Sequence, residues 1–434
     1  MVITLADEIV IRQENFGAIL FHKRRGTIIE IDKEAYEFIR KIQIEKIIDI
    51  HGWEQENVEE LNSFIQHLVK EEFFIVLSQG ALKKKDNTYS PKRVGTQEKK
   101  IYLSAPETVH LAVTFRCENT CRDCYIERHK NQIKNEMSTK QIYRVINQIS
   151  DLPVFQIAVG GGEPLLRGDI VEILSYAYHK NLIIHLTSGK HDISEELLNN
   201  LSRYLTVLQI GIRNKELLET QGEDTRKSER IVRFMKDREK IIGANIVVDR
   251  YCIEHFDRIL EAIVKIGFQT ITFLRYKPSA NTESWNTHNP TYSQMMKFKQ
   301  LLTKAARVYS EIMFRIDCSF TFLEKDLGTD MAQSRGIRGC VAGSRIISIV
   351  PDGGVYPCSQ LVGRDYYSGN VLKQSLKEIW ENSEALMNQR NYRSNVAFLN
   401  SKCGKCKAKE YCGACMVFQE VVGGAAKYCM KEGT

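Results

Sequence analysis

The sequence predicts an α/β fold of repeated βα units, flanked by a small N-terminal α+β unit and a C-terminal region held by metal clusters. Three observations carry this expectation. From residue 108 to about 280, six apolar runs alternate with stretches of helical periodicity, which implies a parallel sheet, open or curled into a barrel. Ahead of them, residues 1–80 pattern as short strands and two helices. Behind them, seven of the twelve cysteines fall in the last hundred residues, where long periodic segments are few.

The N-terminal strands are expected at 8–12, 18–21 and 27–31, with a turn at Arg25 and Gly26. Asp32 is placed to cap a helix whose apolar face holds Ile39 and Ile42. A second helix follows from about 58 to 71, with Leu61, Phe64, Ile65 and Leu68 at helical spacing, and 73–77 closes the unit as a strand. Residues 82–100 are polar and basic, the composition of a linker. A nucleic-acid patch is the alternative there, but no aromatic platform accompanies the charge. The six central strands are expected at 109–114, 155–159, 182–187, 206–212, 244–248 and 270–274, and Ser138 to Gln141 opens a helix with a capping box. In such a sheet the active site lies at the C-terminal strand ends.

Composition narrows the function. The 434 residues are 43 % hydrophobic and 26 % charged, ordinary for a soluble protein of two to four domains. No apolar run reaches the roughly 18 residues of a membrane span. The N-terminus carries Asp7, Glu8 and Arg12 and lacks a signal-peptide core. A cytoplasmic protein without membrane contact is therefore expected. The net charge of +7 is too small to argue for nucleic acid. In a reducing compartment, clustered cysteines are ligands or catalytic groups rather than disulfides.

Cys117-x3-Cys121-x2-Cys124 follows the first central strand at its C-terminal end. Three thiolates on one tight loop hold three corners of a cubane and leave one iron open to a substrate or cofactor. Zinc is the alternative, with His129 as a local fourth ligand. Gly160, Gly161, Gly162, Glu163 and Pro164 end the second strand, and Ser188 ends the third. Glycines allow a backbone to approach a ligand, and carbonyls and a carboxylate accept from an ammonium; a plain turn is the alternative.

These motifs resemble those of the radical S-adenosylmethionine (SAM) enzymes. The resemblance implies a SAM-binding 4Fe–4S cluster on Cys117, Cys121 and Cys124. It implies Gly160, Gly161, Gly162 and Glu163 at the methionine amino group of SAM, and Ser188 near its ribose. The sequence departs from the family pattern in two places. Asp123 precedes the third cysteine where an aromatic residue is usual, and Tyr125 follows it; Tyr125 is grouped with the SAM contacts. The fourth strand ends at 209–213 without the usual serine, which leaves Arg213 or Arg226 for the SAM carboxylate.

The C-terminal cysteines resemble the SPASM extension of that family. Cys340 is followed by Gly353 and Cys358, then by Cys403-x2-Cys406-x5-Cys412-x2-Cys415 and Cys429; the family gap before the sixth cysteine is three residues, here two. The resemblance implies an outer 4Fe–4S cluster on Cys403, Cys406, Cys412 and Cys429. It implies an inner one on Cys340, Cys358 and Cys415, making three clusters and about twelve irons in all. Cys318 is a candidate for the open inner corner, for a core thiol, or for a functional group near the cavity. A pair of zinc sites is the alternative for the whole set. Cys252 has no partner pattern and reads as a buried small hydrophobe. Residues 275–278 read as groups positioning SAM or substrate, or as a solvated edge, and His110 and His185 as core or lining.

The N-terminal unit resembles the PqqD-like leader-peptide domain of ribosomal peptide maturases, a winged-helix-like α+β unit that takes a peptide as an added strand. A DNA-binding winged helix or a stabilising cap are the alternatives. The implied architecture is a PqqD-like domain at 1–80, a basic linker at 81–105, a partial (β/α)6 radical SAM barrel at 106–315, and a bridging region with the SPASM domain at 316–434. The implied function is modification of a precursor peptide with a leader sequence by a 5′-deoxyadenosyl radical, giving a thioether or carbon–carbon crosslink. A flavodoxin or ferredoxin would supply electrons. Maturation of a whole protein, as by sulfatase-activating enzymes, and a non-catalytic metal-sensing DNA regulator are the rival readings.

Overall fold

Short apolar strands with a buried face build the first of two units, Met1–Ser104 and Ala105–Thr434. The computed structural model describes residues 2–45, 48–49, 58–77, 102–119, 121, 124–126, 135–219, 223–277, 282–324, 339–363, 365–412 and 415–421. The linker run, His129, Asp123, Pro278 and Cys429 lie outside the described residues.

In the first unit, β1 (Val2–Leu5), β2 (Ile9–Glu14), β3 (Gly17–His22) and β4 (Ile28–Asp32) precede the helix Lys33–Glu45, and β5 (Ile48–Asp49), the helix Val58–Lys70 and β6 (Phe74–Leu77) follow. The antiparallel sheets run β5-β1-β6 and β2-β3-β4. Asp32 caps the first helix as expected, its Oδ1 accepting from the Ala35 N–H at 2.8 Å. Both helices pack Phe38, Ile39, Ile65 and Leu68 onto Ile3, Leu20 and Phe73. The strand β1 was not expected. Its four residues are too few to show periodicity, and its partners β5 and β6 come more than forty residues later.

The second unit is built on β7 (Thr108–Thr114), β8 (Gln156–Gly161), β9 (Ile183–Ser188), β10 (Val207–Ile212), β11 (Ile241–Val248), β12 (Thr270–Arg275) and β13 (Met313–Ile316). All pair in parallel with their sequence neighbours, so every C-terminal strand end lies at one edge. Buried Val109, Ile157, Ile184, Leu208, Ala244 and Ile271 share one face of this sheet by register, the face its helices cover, while His110, Gln156, His185 and Asn245 fall on the other. The intervening helices turn apolar stripes to it. The helix Phe256–Ile266 buries Phe256, Ile259, Leu260, Ile263 and Ile266 and stops at Gly267 in a left-handed cap. The capping box at Ser138 forms as read from sequence.

The sheet also extends in ways the sequence did not reveal. The strand β13 adds a seventh βα strand, and β14 (Ile346–Ile349) pairs in parallel with β7 from its other side. The short β15 (Gly354–Tyr356) and β16 (Gly369–Asn370) continue it antiparallel. The cysteine-rich region thus shares one sheet with the βα units. Among the described residues, no helix is long and apolar enough to cross a membrane.

Two histidines on this sheet give the unit a pH response. His110 on β7 and His185 on β9 are each pushed down to about 4 by burial, against about 6.5 in the unfolded chain. Between those values the unfolded state binds protons that the folded state refuses, so stability is lost as pH falls from 6.5 towards 4. Urea unfolding is expected to lose about 1–2 kcal/mol per histidine between pH 7 and pH 5. His185→Leu is expected to shrink that difference; an unchanged one contradicts the assignment.

Candidate cofactor and iron–sulfur sites

The end of β7 is fixed before the first cysteine is reached. Thr114 Oγ1 and the Phe115 N–H both donate to the Glu136 carboxylate, at 2.7 and 2.9 Å, and Arg116 pairs with it at 3.7 Å. Lys190, just past β9, pairs with Glu118 at 3.2 Å. Cys117 and Cys124 are partly buried and Cys121 is exposed, so the loop presents its thiols at the edge where the strands end.

The glycine-rich end of β8 lies against this loop. The Gly162 N–H donates to the Thr114 carbonyl and the Glu163 N–H to the Arg116 carbonyl, both at 2.8 Å. A Cβ on Gly161, whose φ is +120°, would stand 2.3 Å from the Thr114 carbonyl oxygen, and one on Gly162 2.2 Å from that of Arg116. Two of the glycines therefore serve backbone-to-backbone packing. Gly160 differs: a Cβ there meets nothing within 4 Å.

Glu163 and Ser188 sit where the sequence placed them, at neighbouring strand ends, but they face each other. Glu163 is 1 % exposed. Its carboxylate accepts from Ser188 Oγ at 2.9 Å, from the Gly189 N–H at 2.8 Å and from the Leu165 N–H at 3.1 Å. Ser188 Oγ in turn accepts from the Lys190 N–H at 3.0 Å. Protein donors thus meet this carboxylate at the strand end, and Ser188 is one of them. A buried carboxylate needs donors, and these two groups tie β8 to β9. Ser188→Ala is expected to cost about 1–2 kcal/mol in urea unfolding, more than an exposed serine; a change below 0.5 kcal/mol contradicts the tie.

Both arginines named from sequence come after β10. Arg213 pairs with Glu216 in the helix Asn214–Glu219. Arg226 is exposed on the helix Glu223–Lys236. Sequence reasoning missed Glu136 and Lys190, as well as His191, whose ring bridges Ser228 Oγ at 2.8 Å and the Gly211 carbonyl at 3.2 Å. No local pattern marks them, because each acts across a long sequence separation. A further missed group is Arg167, 8 % exposed. It donates to the carbonyls of Val113 and Met137, each at 3.0 Å, and grips Asp169 through two bonds of 2.9 and 2.7 Å. Those bonds from Arg167 hold Asp169 down to about 2.

A second thiol group gathers where the sheet meets the C-terminal region. Cys340 follows Gly339, Cys358 follows β15, and Cys415 precedes the helix Met416–Val421. The Cys340 and Cys415 sulfurs interact closely enough that Cys415 is lowered and Cys340 raised from the ordinary thiol value. Burial pushes Cys358 up to about 11, and its sulfur accepts from the Gln360 N–H at 3.5 Å. Cys318 lies within electrostatic reach of Cys340, Cys358 and Cys415. Cys415 also packs on Tyr276, Trp285 and Phe418.

The 275–277 stretch lines this group and is no solvated edge. Arg275, 4 % exposed, donates to the Ser319 carbonyl at 3.1 Å and lies over the rings of Phe418 and Phe322, at 4.0 and 4.4 Å. Lys277 donates to Asp317. Burial opposes the charge on each, but their mutual attraction wins, raising the lysine and lowering the aspartate.

Of the outer cysteines, Cys403, Cys406 and Cys412 are described. Cys406 and Cys412 pack on Ala408 and Tyr411, and Cys406 Sγ accepts from the Ala408 N–H at 3.4 Å. Burial chiefly raises the Tyr392 and Tyr125 phenols, and the field of Cys340 and Cys412 on the first and of Cys124 and Cys358 on the second adds to it. The donors at all three places are thiols, the ligands iron–sulfur clusters take, and N–H groups aimed at sulfur suit thiolates. Among the described residues, no three donor side chains meet at the spacing of a single ion; a cubane places its cysteines on separate irons. Cys252 is fully buried, as a small hydrophobe would be.

Comparison with known proteins adds the following. The Radical SAM superfamily model matches residues 111–274, and the SPASM iron–sulfur cluster-binding domain model matches residues 340–416. Mycofactocin maturase MftC of Mycobacterium tuberculosis H37Rv is 26 % identical over 332 residues, covering 74 % of this chain and 81 % of that protein. SuiB of Streptococcus suis, crystallised with the precursor peptide SuiA, superposes with a TM-score of 0.68 at 16 % identity, over 98 % of each chain. The protein anSMEcpe, with bound AdoMet and a Kp18Cys peptide, superposes with a TM-score of 0.56 at 18 % identity, over 73 % of this chain and 92 % of its own. At these identities the structural likenesses establish the fold.

Proposed function

We propose, from the premise that this chain is a radical SAM enzyme with a C-terminal SPASM iron–sulfur domain, that it modifies a ribosomally made precursor peptide. The observation that carries the reading is the meeting of two loops. The thiol-bearing loop after β7 and the glycine-rich end of β8 are hydrogen-bonded side by side at the active edge of the sheet.

Cys117, Cys121 and Cys124 would hold the SAM-binding 4Fe–4S cluster. When bound, such a cluster would supply the electron for reductive cleavage of SAM and so the means to take hydrogen from an unactivated carbon of the peptide. The chain's own part is to bind, orient and exclude water. With Glu163 turned inward, the backbone at Gly160, beside open space, is left to receive the ammonium of SAM. Exposed Arg226 suits its carboxylate better than Arg213, which is paired. Cys340, Cys358 and Cys415 would hold an inner auxiliary cluster, and Cys403, Cys406, Cys412 and Cys429 an outer one.

The first unit is read as a PqqD-like domain that holds a leader peptide against a sheet edge. Similarity to a mycofactocin maturase, and to the fold of a protein crystallised with its precursor peptide, supports a peptide substrate. The product is a thioether or carbon–carbon crosslink, the location cytoplasmic, and the electron donor a flavodoxin or ferredoxin.

The test is anaerobic incubation of the reconstituted chain with SAM, dithionite and a short peptide encoded beside its gene. Formation of 5′-deoxyadenosine together with loss of two hydrogens from the peptide is expected. Turnover with a folded protein substrate and none with any such peptide contradicts the reading. A narrower check is Gly160→Val, which the open space accommodates. It is expected to keep the cluster and weaken SAM binding by more than about tenfold, roughly 1.4 kcal/mol.

A further inference from the structure

We infer that the turn-rich segment around Cys403 and Cys406, with the short helix before it, is the docking surface for an acidic one-electron carrier protein that exchanges electrons with the chain at the outer auxiliary cluster. The inference rests on the reading that Cys403, Cys406 and Cys412 belong to such a cluster, and it names the partner of that site. The sequence there alternates sulfur ligands with lysines: Lys402, Cys403, Lys405, Cys406, Lys407 and Lys409 fall within eight residues. Over residues 391–412 five basic side chains stand against Glu410 as the single acid, whereas all 434 residues together carry a net charge of only +7.

Successive turns give the segment two faces. The Cys406 N–H donates to the Cys403 carbonyl and the Lys409 N–H to the Cys406 carbonyl, both at 3.1 Å, and the Cys412 N–H donates to the Ala408 carbonyl at 2.8 Å. Ala408 and Tyr411 are buried, with Cys406 and Cys412 packed on them. The Tyr411 phenol donates to the Glu324 carbonyl at 3.0 Å and fastens the segment to the turn Cys318–Glu324. Lys402, Lys405 and Lys407 are exposed. They stand beside sulfurs that are themselves only partly buried, so a partner held by the lysines comes close to the cluster.

A second, independent feature adjoins them. The helix Val396–Asn400 leaves Val396 71 % and Leu399 46 % exposed, three residues apart and so on one side of it. It abuts the lysine segment. A Cβ on Gly404 would stand 2.2 Å from the Phe398 carbonyl oxygen and 2.6 Å from Leu399 Cα, and Arg393 donates to the Glu410 carbonyl at 2.9 Å. Exposed apolar groups beside charge of one sign suit a transient partner: the charge steers the encounter and the apolar contact holds it. The positive sign selects an acidic partner, and the sulfurs beneath select one that exchanges electrons. Removing two hydrogens from the peptide gives one to 5′-deoxyadenosine and releases the other as a proton and an electron. An oxidised carrier docked here takes that electron and is reduced by one. The same interface passes an electron inward when the carrier arrives reduced.

The test uses the full chain with Cys117, Cys121 and Cys124 replaced by alanine, so that the auxiliary clusters alone are reduced, and a purified acidic flavodoxin in its hydroquinone form as the probe. This parent is expected to hold about eight irons, to bind flavodoxin more weakly as salt is raised, and to bleach on stopped-flow mixing with it. Lys405→Glu together with Lys407→Glu is expected to weaken binding by more than about tenfold and to slow the bleaching as much. Iron content and the rate of reduction by dithionite are expected to stay at the parental values. Val396→Ser is expected to weaken binding without changing its salt dependence. A parent with full iron that does not bind flavodoxin overturns the inference, as do equal affinity and rate in the parent and the charge-reversed variant. Loss of precursor-peptide binding in that variant with flavodoxin binding intact overturns it too, and assigns the surface to the peptide. A parent that takes up no more than about four irons overturns the outer-cluster reading itself, and this inference with it.

Discussion

Replacing Cys117, Cys121 and Cys124 by alanine is expected to reduce SAM cleavage by more than about a thousandfold while the chain stays folded. The magnitude follows from the chemistry: without these thiols nothing in the chain anchors the group that delivers the electron, and residues acting as a unit fail together. Foldedness follows from the geometry. The loop is pinned by Glu136, by the N–H groups of Gly162 and Glu163, and by the Lys190–Glu118 pair, none of which uses a cysteine. Chromatographic detection of 5′-deoxyadenosine and an iron count make the check. The count is expected to fall by about four per chain, with the far-UV circular dichroism unchanged. Turnover within tenfold of the parent contradicts the assignment.

Arg167→Met is expected to be the most damaging single change to the sheet edge that carries the site, costing about 3–5 kcal/mol. The guanidinium joins three places at once: the Val113 carbonyl near the end of β7, the Met137 carbonyl ahead of the capped helix, and Asp169. Methionine fills much of the same volume but donates nothing, which strands two carbonyls and leaves the Asp169 carboxylate with Thr139 as its side-chain donor. Asp169 stays ionised down to about pH 2 because Arg167 holds it there. The stabilisation from the pair is thus full above the ordinary aspartate range near 4 and lost only as pH falls through about 2. Urea unfolding at pH 7 measures the cost; a loss under 1 kcal/mol contradicts the bracing role. Because Arg167 follows directly on the turn Pro164–Leu166, the variant is also expected to loosen the glycine-rich loop and weaken SAM binding.

The six expected βα strands emerge within a few residues of their sequence positions because each carries apolar residues that one face of the sheet buries. Among the strands that escaped, β1, β13 and β14 have four residues each and partners fixed only by the tertiary fold. Around the site, spacing revealed the thiols, since ligand geometry imposes a local pattern. Direction was harder to read. Glu163 and Ser188 stand at the strand ends where the sequence put them, but a strand end gives no sign of the hydrogen bond that joins them. Arg167, Glu136 and Lys190 were invisible for the same reason, as ordinary polar residues whose partners are set by strand order.

Low-temperature EPR of the dithionite-reduced full chain, recorded with and without SAM, tests the open-corner geometry of the first site most directly. SAM is expected to shift the g-values of one signal in the parent and to leave the spectrum of the Cys117/Cys121/Cys124 alanine variant unchanged. A parent spectrum indifferent to SAM, or the same shift in that variant, contradicts it.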